Sequence, residues 1–182
     1  MDQHAIGFRP ATEQDEQAIR ALVRGEYLNP TGIHWPNFVV AAMAGRIVGA
    51  VQISKHPDGS RELGSPVVAK DQRGHGIDSR MVERVLADER EPIWMITSDT
   101  LASTFARLGF EPIEPGAAPV KVRFNYRIGR LARIVSYLRR RPMRRLIILE
   151  WLPIERRAII RSGVGAEQRG ALHQPGAAAP AV

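Results

Sequence analysis

The stretch Val67-Val-Ala-Lys-Asp-Gln-Arg-Gly-His-Gly-Ile-Asp78 holds the residues best suited to chemistry. An apolar run passes through a polar link into two glycines and then into helical spacing. Glycine lets main chain approach a ligand closely, and the first N–H groups of a helix point outward without intrahelical partners. Those donors and the positive helix end favour an anion such as a pyrophosphate. Arg73 could add a forked cation. The same residues also fit a tight strand-to-helix turn with no ligand. Just upstream, strand alternation puts Glu62, Gly64, Pro66 and Val68 on one face. Proline cannot donate to a ladder, so Pro66 belongs at an edge or a bulge.

Other side chains with chemical potential are scattered. His34 and His56 lie near turns, with no partner spacing, and read as surface histidines. No His-x-x-x-His or carboxylate cluster suggests a metal, and the absence of cysteine excludes a thiolate site, a disulfide framework and a cysteine nucleophile. Ser98 and Asp99 end a strand and could touch a substrate or cap a helix. Trp35 could line a pocket or pack in the core.

The elements that must position these residues follow from periodicity and turn chemistry. Ile6 to Arg9 reads as a strand. Thr12 reads as the cap of a helix carrying Ile19, Leu22 and Val23. After the turn Asn29-Pro-Thr-Gly32, strands are expected at Phe38–Ala42, Arg46–Ile53 and Arg61–Ala69, separated by Ala44-Gly45 and Pro57-Asp-Gly59. A helix opens at Gly74-His-Gly76, with Ile77, Met81, Val82, Val85 and Leu86 at helical spacing. Ile93–Thr97 is a short strand, Leu101–Leu108 a helix stopped by Gly109, and Phe110–Ile113 a strand. Farther on, Leu131, Ile134, Val135 and Leu138 mark a helix face, and Leu146–Leu152 a last strand.

Three nucleotide motifs compete for the glycine turn. A P-loop needs Gly-Lys-Ser/Thr, which is absent. A dinucleotide fingerprint needs a third glycine where Ser79 stands, although Asp99 lies at a plausible distance for a ribose-binding acid. Arg73-Gly-His-Gly-Ile-Asp78 instead resembles the acyl-CoA loop of GNAT-superfamily N-acetyltransferases, Arg/Gln-x-x-Gly-x-Gly/Ala. The opening Phe8-Arg-Pro-Ala-Thr with Asp15, the Leu108-Gly-Phe110 after a helix and the element order are similar to that family over roughly residues 6–113.

The resemblance implies an α/β fold: a central, mostly antiparallel mixed sheet flanked by helices. It implies acetyl-CoA as cosubstrate and direct acetyl transfer to a primary amine of a small molecule or protein. It assigns the cofactor to Val68, Ala69, Arg73, Gly74, His75, Gly76, Ile77 and Asp78, with Phe105 against the pantetheine arm. The Val68 N–H would stabilise the thioester oxygen, and Glu62 would assist proton removal, with Arg61 or Lys55 as its competing ion-pair partners. Two positions depart from the pattern. Asp78 stands where Gly or Ala is usual, placing a carboxylate where it would repel a pyrophosphate unless it caps the helix or pairs with Arg80. Phe105 stands where many members carry a tyrosine able to protonate the leaving thiolate. These departures suit the alternative, a degenerate fold that binds CoA or a polyanion without turnover.

Composition bounds the rest. A chain of 182 residues with 44% hydrophobic residues is one ordinary domain's worth of core. The N-terminus has no signal-peptide pattern, and no apolar run approaches the roughly 18 residues of a span. A cytoplasmic protein is therefore expected. Residues 1–120 hold 12 Lys and Arg against 16 Asp and Glu, whereas 121–161 hold 13 against 2. A mildly acidic domain thus carries a basic extension, including Arg139-Arg-Arg-Pro-Met-Arg-Arg145, open to nucleic acid or an acidic membrane. Sparse aromatics argue against base stacking, and a solvated face is the plainer reading. The extension helix could cover the sheet or a second subunit in a homodimer. The domain is expected to span 1–152, with the basic helix and last strand from about 121. Residues 153–182 read as a basic, then Ala/Gly/Pro-rich tail, expected to be disordered.

Overall fold

A computed structural model describes residues 6–25, 33–137 and 145–161. Its contacts divide the chain into two units, Met1–Ser54 with Leu63–Glu89, and Lys55–Glu62 with Arg90–Val182.

In the first unit, β-rich sequence forms β1 (Ile6–Pro10), β2 (Phe38–Met43), β3 (Arg46–Lys55, which ends in the second unit) and most of β4 (Arg61–Val68). They lie in the order β1-β2-β3-β4, with β1–β2 and β2–β3 antiparallel. The hairpin between β2 and β3 turns on Ala44 and Gly45, both at positive φ (48° and 77°), the backbone of a type I′ turn. Where Ala41 faces Gly49 and Ala42 faces Ile47, the register slips, leaving Val48 as the extra residue of a bulge.

Two helices belong to this unit. The α1 helix (Glu16–Gly25) follows a short 3-10 turn and buries Ile19 and Val23 against Phe38, Val40, Ala50 and Val67. Its entry is fixed by Asp15, which accepts hydrogen bonds from the Thr12 N–H (2.7 Å) and hydroxyl (2.8 Å) and from both terminal nitrogens of Arg9. The Arg9 bonds, joined by those from Thr12, outweigh burial and hold the Asp15 carboxyl well below the ordinary carboxylate range. The α2 helix (Ile77–Leu86) buries the expected stripe of Ile77, Met81, Val82 and Leu86. Each such side chain contributes roughly 1.5–3 kcal/mol on burial. Met81 fits because position 49 is glycine: a Cβ there would lie 2.9 Å from Met81 Cε and 3.3 Å from the Val67 carbonyl oxygen.

In the second unit, β5 (Ile93–Ser98), β6 (Phe110–Ile113) and β7 (Leu146–Trp151) run in the order β5-β7-β6, all antiparallel. The start of β4 pairs in parallel with β5, Glu62 opposite Trp94. The sheet is thus mixed and mostly antiparallel, with helices flanking it, as expected. The α3 helix (Ala102–Ala106) sets Phe105 edge-on to Phe110, ring centroids 6.0 Å apart. The α4 helix (Val120–Tyr137) begins eleven residues before the Leu131 that marked it in the sequence, and packs through Val122 and Tyr126 on Trp94, Ile148 and Ile113. Leu131 is 64% exposed, so it does not belong to the packed face; Val120, Phe124 and Ile128 share its exposure. The registry explains this: Val122, Tyr126 and Gly129 fall on the side of the helix opposite Val120, Phe124, Ile128 and Leu131.

The chain does not lose structure at residue 153. Ile154–Arg161 forms α5, tied down by Arg157, whose Nε donates to the Leu152 carbonyl (2.6 Å) and whose guanidinium lies over the Trp151 ring. Arg156 adds an ion pair to Glu91 at 2.9 Å. Residues 162–182, the turn Asn29–Gly32 and most of the arginine run lie outside the described residues.

Candidate functional site

At the end of β4, main-chain direction is set by one contact. The Ala69 N–H donates to the Val48 carbonyl of the bulge at 2.8 Å, so it points toward β3. Successive N–H groups of a strand point to opposite edges, so the N–H of Val68 points away from β3. Val68 itself is buried. Its carbonyl, on the same edge as its N–H, accepts a long 3.3 Å hydrogen bond from Arg73 Nε. The guanidinium of Arg73 therefore folds back toward that edge.

From Ala69 the chain makes a 3-10 turn, Lys70–Gln72, closed by the Gln72 N–H to the Ala69 carbonyl at 2.8 Å, and steadied by an exposed Arg46–Asp71 ion pair. Gly74 and Gly76 then take positive φ values of 80° and 67°. Residues with a Cβ enter this region only at a cost. A Cβ on either glycine would meet nothing within 4 Å. The glycines are thus required by backbone conformation, and the space beside them is open. Gly76 caps α2, and its carbonyl accepts the first helical bond, from Arg80. Helix geometry leaves the N–H groups of Ile77, Asp78 and Ser79 without intrahelical partners. His75 is exposed and turns Nδ1 toward the Gln72 carbonyl at 3.3 Å. The turn is therefore an exposed, donor-rich opening of a ten-residue helix.

Asp78 sits in the first turn of α2 and is exposed. It does not pair with Arg80, whose guanidinium lies 4.8 Å from the centre of the Phe8 ring. The aromatic face holds that cation away from the carboxylate.

Glu62 lies in the second unit. Its Oε2 lies 3.0 Å from His56 Nε2 and accepts a 2.9 Å hydrogen bond from Asn125 Nδ2. A carboxylate only accepts, so His56 presents Nε2–H. The Glu62 and His56 side chains are 17% and 12% exposed, so His56 is not the surface histidine that its turn position suggests. The turn before β4 explains the burial. Asp58 accepts from the Ser60 hydroxyl (2.6 Å) and N–H (3.1 Å), and its other oxygen accepts the Lys121 N–H at 2.8 Å. Burial pushes the Asp58 carboxyl up, but the donors from Ser60 and Lys121 and the nearby His56 more than offset it, leaving it below its usual value. Asp58 thus pins the turn to the start of α4, and Asn125 lies one helical turn on from Lys121, on the same face.

Other candidates take structural places. Phe105 is 5% exposed, its ring spent on Phe110. Ser98 precedes the 3-10 turn Asp99–Leu101, with its hydroxyl 2.8 Å from that of Thr100, and the Asp99 N–H donates to the Arg145 carbonyl. His34 is exposed ahead of a 3-10 turn that holds half-buried Trp35. Among the described residues no group of three His, Cys, Asp or Glu could hold a metal ion, and no helix is long and apolar enough to cross a membrane.

Residues 34–112 match the model of the acetyltransferase (GNAT) domain. Among curated proteins no sequence matches the chain. Several solved structures share its fold. N-acetylglutamate synthase from Neisseria gonorrhoeae, complexed with coenzyme A and N-acetyl-glutamate, superposes with TM-score 0.64 at 18% identity over 81% of this chain. The match takes in 35% of that protein, so this chain spans about a third of its length. Rv2747 from Mycobacterium tuberculosis, in complex with CoA and NLQ, gives 0.61 at 23% identity, covering 81% of this chain and 99% of the other. Diaminobutyrate acetyltransferase from Paenibacillus lautus, in complex with L-2,4-diaminobutyric acid and coenzyme A, gives 0.54 at 15%, covering 82% and 96%. Over the matched span the chain is similar to the GNAT acetyltransferase domain, and its element order, with the glycine turn opening α2, agrees with that likeness.

Proposed function

We propose that the protein transfers an acetyl group from acetyl-CoA to a primary amine by direct attack. The observation that carries this reading is the pair Gly74 and Gly76, both in left-handed backbone beside open space at the start of α2. Such a turn accepts a diphosphate without rearrangement, through the N–H groups from Gly74 to Asp78. Arg73, whose Nε donates to the Val68 carbonyl at 3.3 Å, adds a forked cation beside the same turn. Val68 and Ala69 would receive the pantetheine end.

Acetyl-CoA supplies an activated carbonyl carbon and a thiolate leaving group. The amine forms the new C–N bond, the C–S bond breaks, and the proton lost by the amine balances the charge on the departing sulfur. The Val68 N–H, pointing away from β3, is a fixed donor for the oxygen that gains charge. A preorganised donor of this kind contributes several kcal/mol. Glu62, held as a half-buried carboxylate, takes the amine's proton directly or through water. Phe105 lacks a hydroxyl, so sulfur is protonated by solvent or a neighbour.

The rival reading, a fold that binds CoA without turnover, draws on Asp78 and Phe105. Thiol release from acetyl-CoA with a panel of primary amines separates the two. Turnover that falls about 100-fold or more in Glu62→Gln supports the proposal. Tight binding of acetyl-CoA with no thiol release for any amine supports the rival.

A further inference from the structure

We infer that His56 and Asn125 are positioning residues for Glu62, forming a clamp that fixes one carboxylate oxygen and leaves the other to meet the proton of the acceptor amine. The inference rests on the reading of Glu62 as the base and deepens it. Both contacts converge on the same atom, Oε2. Two donors on one oxygen fix the plane of the carboxylate, because rotation of the side chain would break both bonds together. Oε1 is in neither contact, so its acceptor capacity is not consumed by the clamp.

The clamp is assembled from distant sequence. His56 comes from the turn before β4 and Asn125 from α4, 63 residues beyond Glu62. Asp58 joins the two carriers: it accepts from Ser60 within the turn and from Lys121 at the start of α4. Turn and helix are therefore pinned one residue pair away from the clamp itself. A solvated strand-end glutamate would need none of this. Its side chain would be exposed, and a single cation would serve it. The observed carboxylate is instead drawn in with a neutral amide and an imidazole, groups that orient without adding a second full positive charge in the case of Asn125.

Misplacing a reacting group by about 1 Å can cost roughly 100-fold in rate. His56→Ala and Asn125→Ala are therefore expected to lower kcat about 10- to 100-fold, with the affinity for acetyl-CoA unchanged within about twofold. His56→Gln is expected to recover much of the loss, since glutamine carries an N–H near the place of Nε2. The experiment measures, on the full chain, acetyl-CoA binding by calorimetry, the thermal midpoint, and kcat and KM with the amine that turns over fastest in a panel. Reduced kcat with intact acetyl-CoA binding, rescued by His56→Gln, supports the clamp. If Glu62→Gln is slow but His56→Ala and Asn125→Ala turn over normally, with at most a lowered thermal midpoint, the clamp is overturned and the base stands. Undiminished kcat in Glu62→Gln overturns the base and the clamp with it, while acetyl-CoA binding shows whether the acetyltransferase reading survives.

Discussion

Asp78 gives the sharpest quantitative prediction. It is exposed in the first turn of α2, beside the amides that would hold a diphosphate, and Arg80 is engaged with Phe8 rather than with this carboxylate. Two unit charges at about 5 Å repel by ~0.8 kcal/mol at the dielectric of water and ~1.7 kcal/mol at half that value, and the exposure of Asp78 favours the lower end. Asp78→Asn keeps the shape and removes the charge, so the Kd for CoA should fall about 4- to 20-fold. The free protein should lose up to ~1 kcal/mol, because the carboxylate complements the positive end of the helix. Calorimetric titration at about 50 mM and 500 mM salt is the assay. Screening should shrink the gain at the higher salt. An affinity that is unchanged or weaker at low salt would refute the placement of the diphosphate beside Asp78.

Three further substitutions probe the scaffold. Gly76→Ala forces a Cβ into backbone at φ 67°, and should cost roughly 1–2 kcal/mol of stability by urea unfolding and weaken CoA binding; wild-type affinity would speak against the turn as the anion site. Gly49→Ala should cost about 1–3 kcal/mol, since Met81 and the Val67 carbonyl stand where the Cβ must go, and a neutral result would mean that Met81 repacks freely. Asp15→Asn should cost roughly 1–2 kcal/mol at pH 7, a discounted figure because the Arg9 side chain is 44% exposed. Asp15 has a depressed value when folded, so its contribution is present above the unfolded value near 4 and fades as pH falls through the folded one. Stabilities of wild type and Asp15→Asn should converge as pH falls below the unfolded carboxylate value; a gap constant with pH would rule out the ionised pair as its source.

The parts of this fold that were legible in the sequence are those encoded locally. The α2 helix announces itself by Ile77, Met81, Val82 and Leu86 at helical spacing, and its start by two glycines whose backbone tolerance is a property of the residue itself. The hairpin at Ala44-Gly45 and the strand of Ile93 to Thr97 are of the same kind. What is not encoded locally depends on distance or on context. The contact of Asn125 with Glu62 spans 63 residues and leaves no local trace. His56 looked like a surface residue because its burial is created by Asp58 reaching the Lys121 N–H, again across the chain. The pairing of Arg80 with Phe8 rather than Asp78 joins α2 to β1, far apart in sequence. Pro119, whose carbonyl accepts the Arg123 N–H, was a readable start signal for α4. The α5 helix was obscured by the Ala, Gly and Pro that follow it, although Arg156 and Arg157 find partners in Glu91 and Leu152.

The most direct trial is to titrate CoA into isotopically labelled protein and follow each backbone amide by NMR. Binding at the turn predicts that the amides of Gly74, Gly76, Ile77 and Asp78 move first and farthest, with Val68 and Ala69 joining them for acetyl-CoA. Saturable binding that leaves those amides still while shifting others would contradict the account.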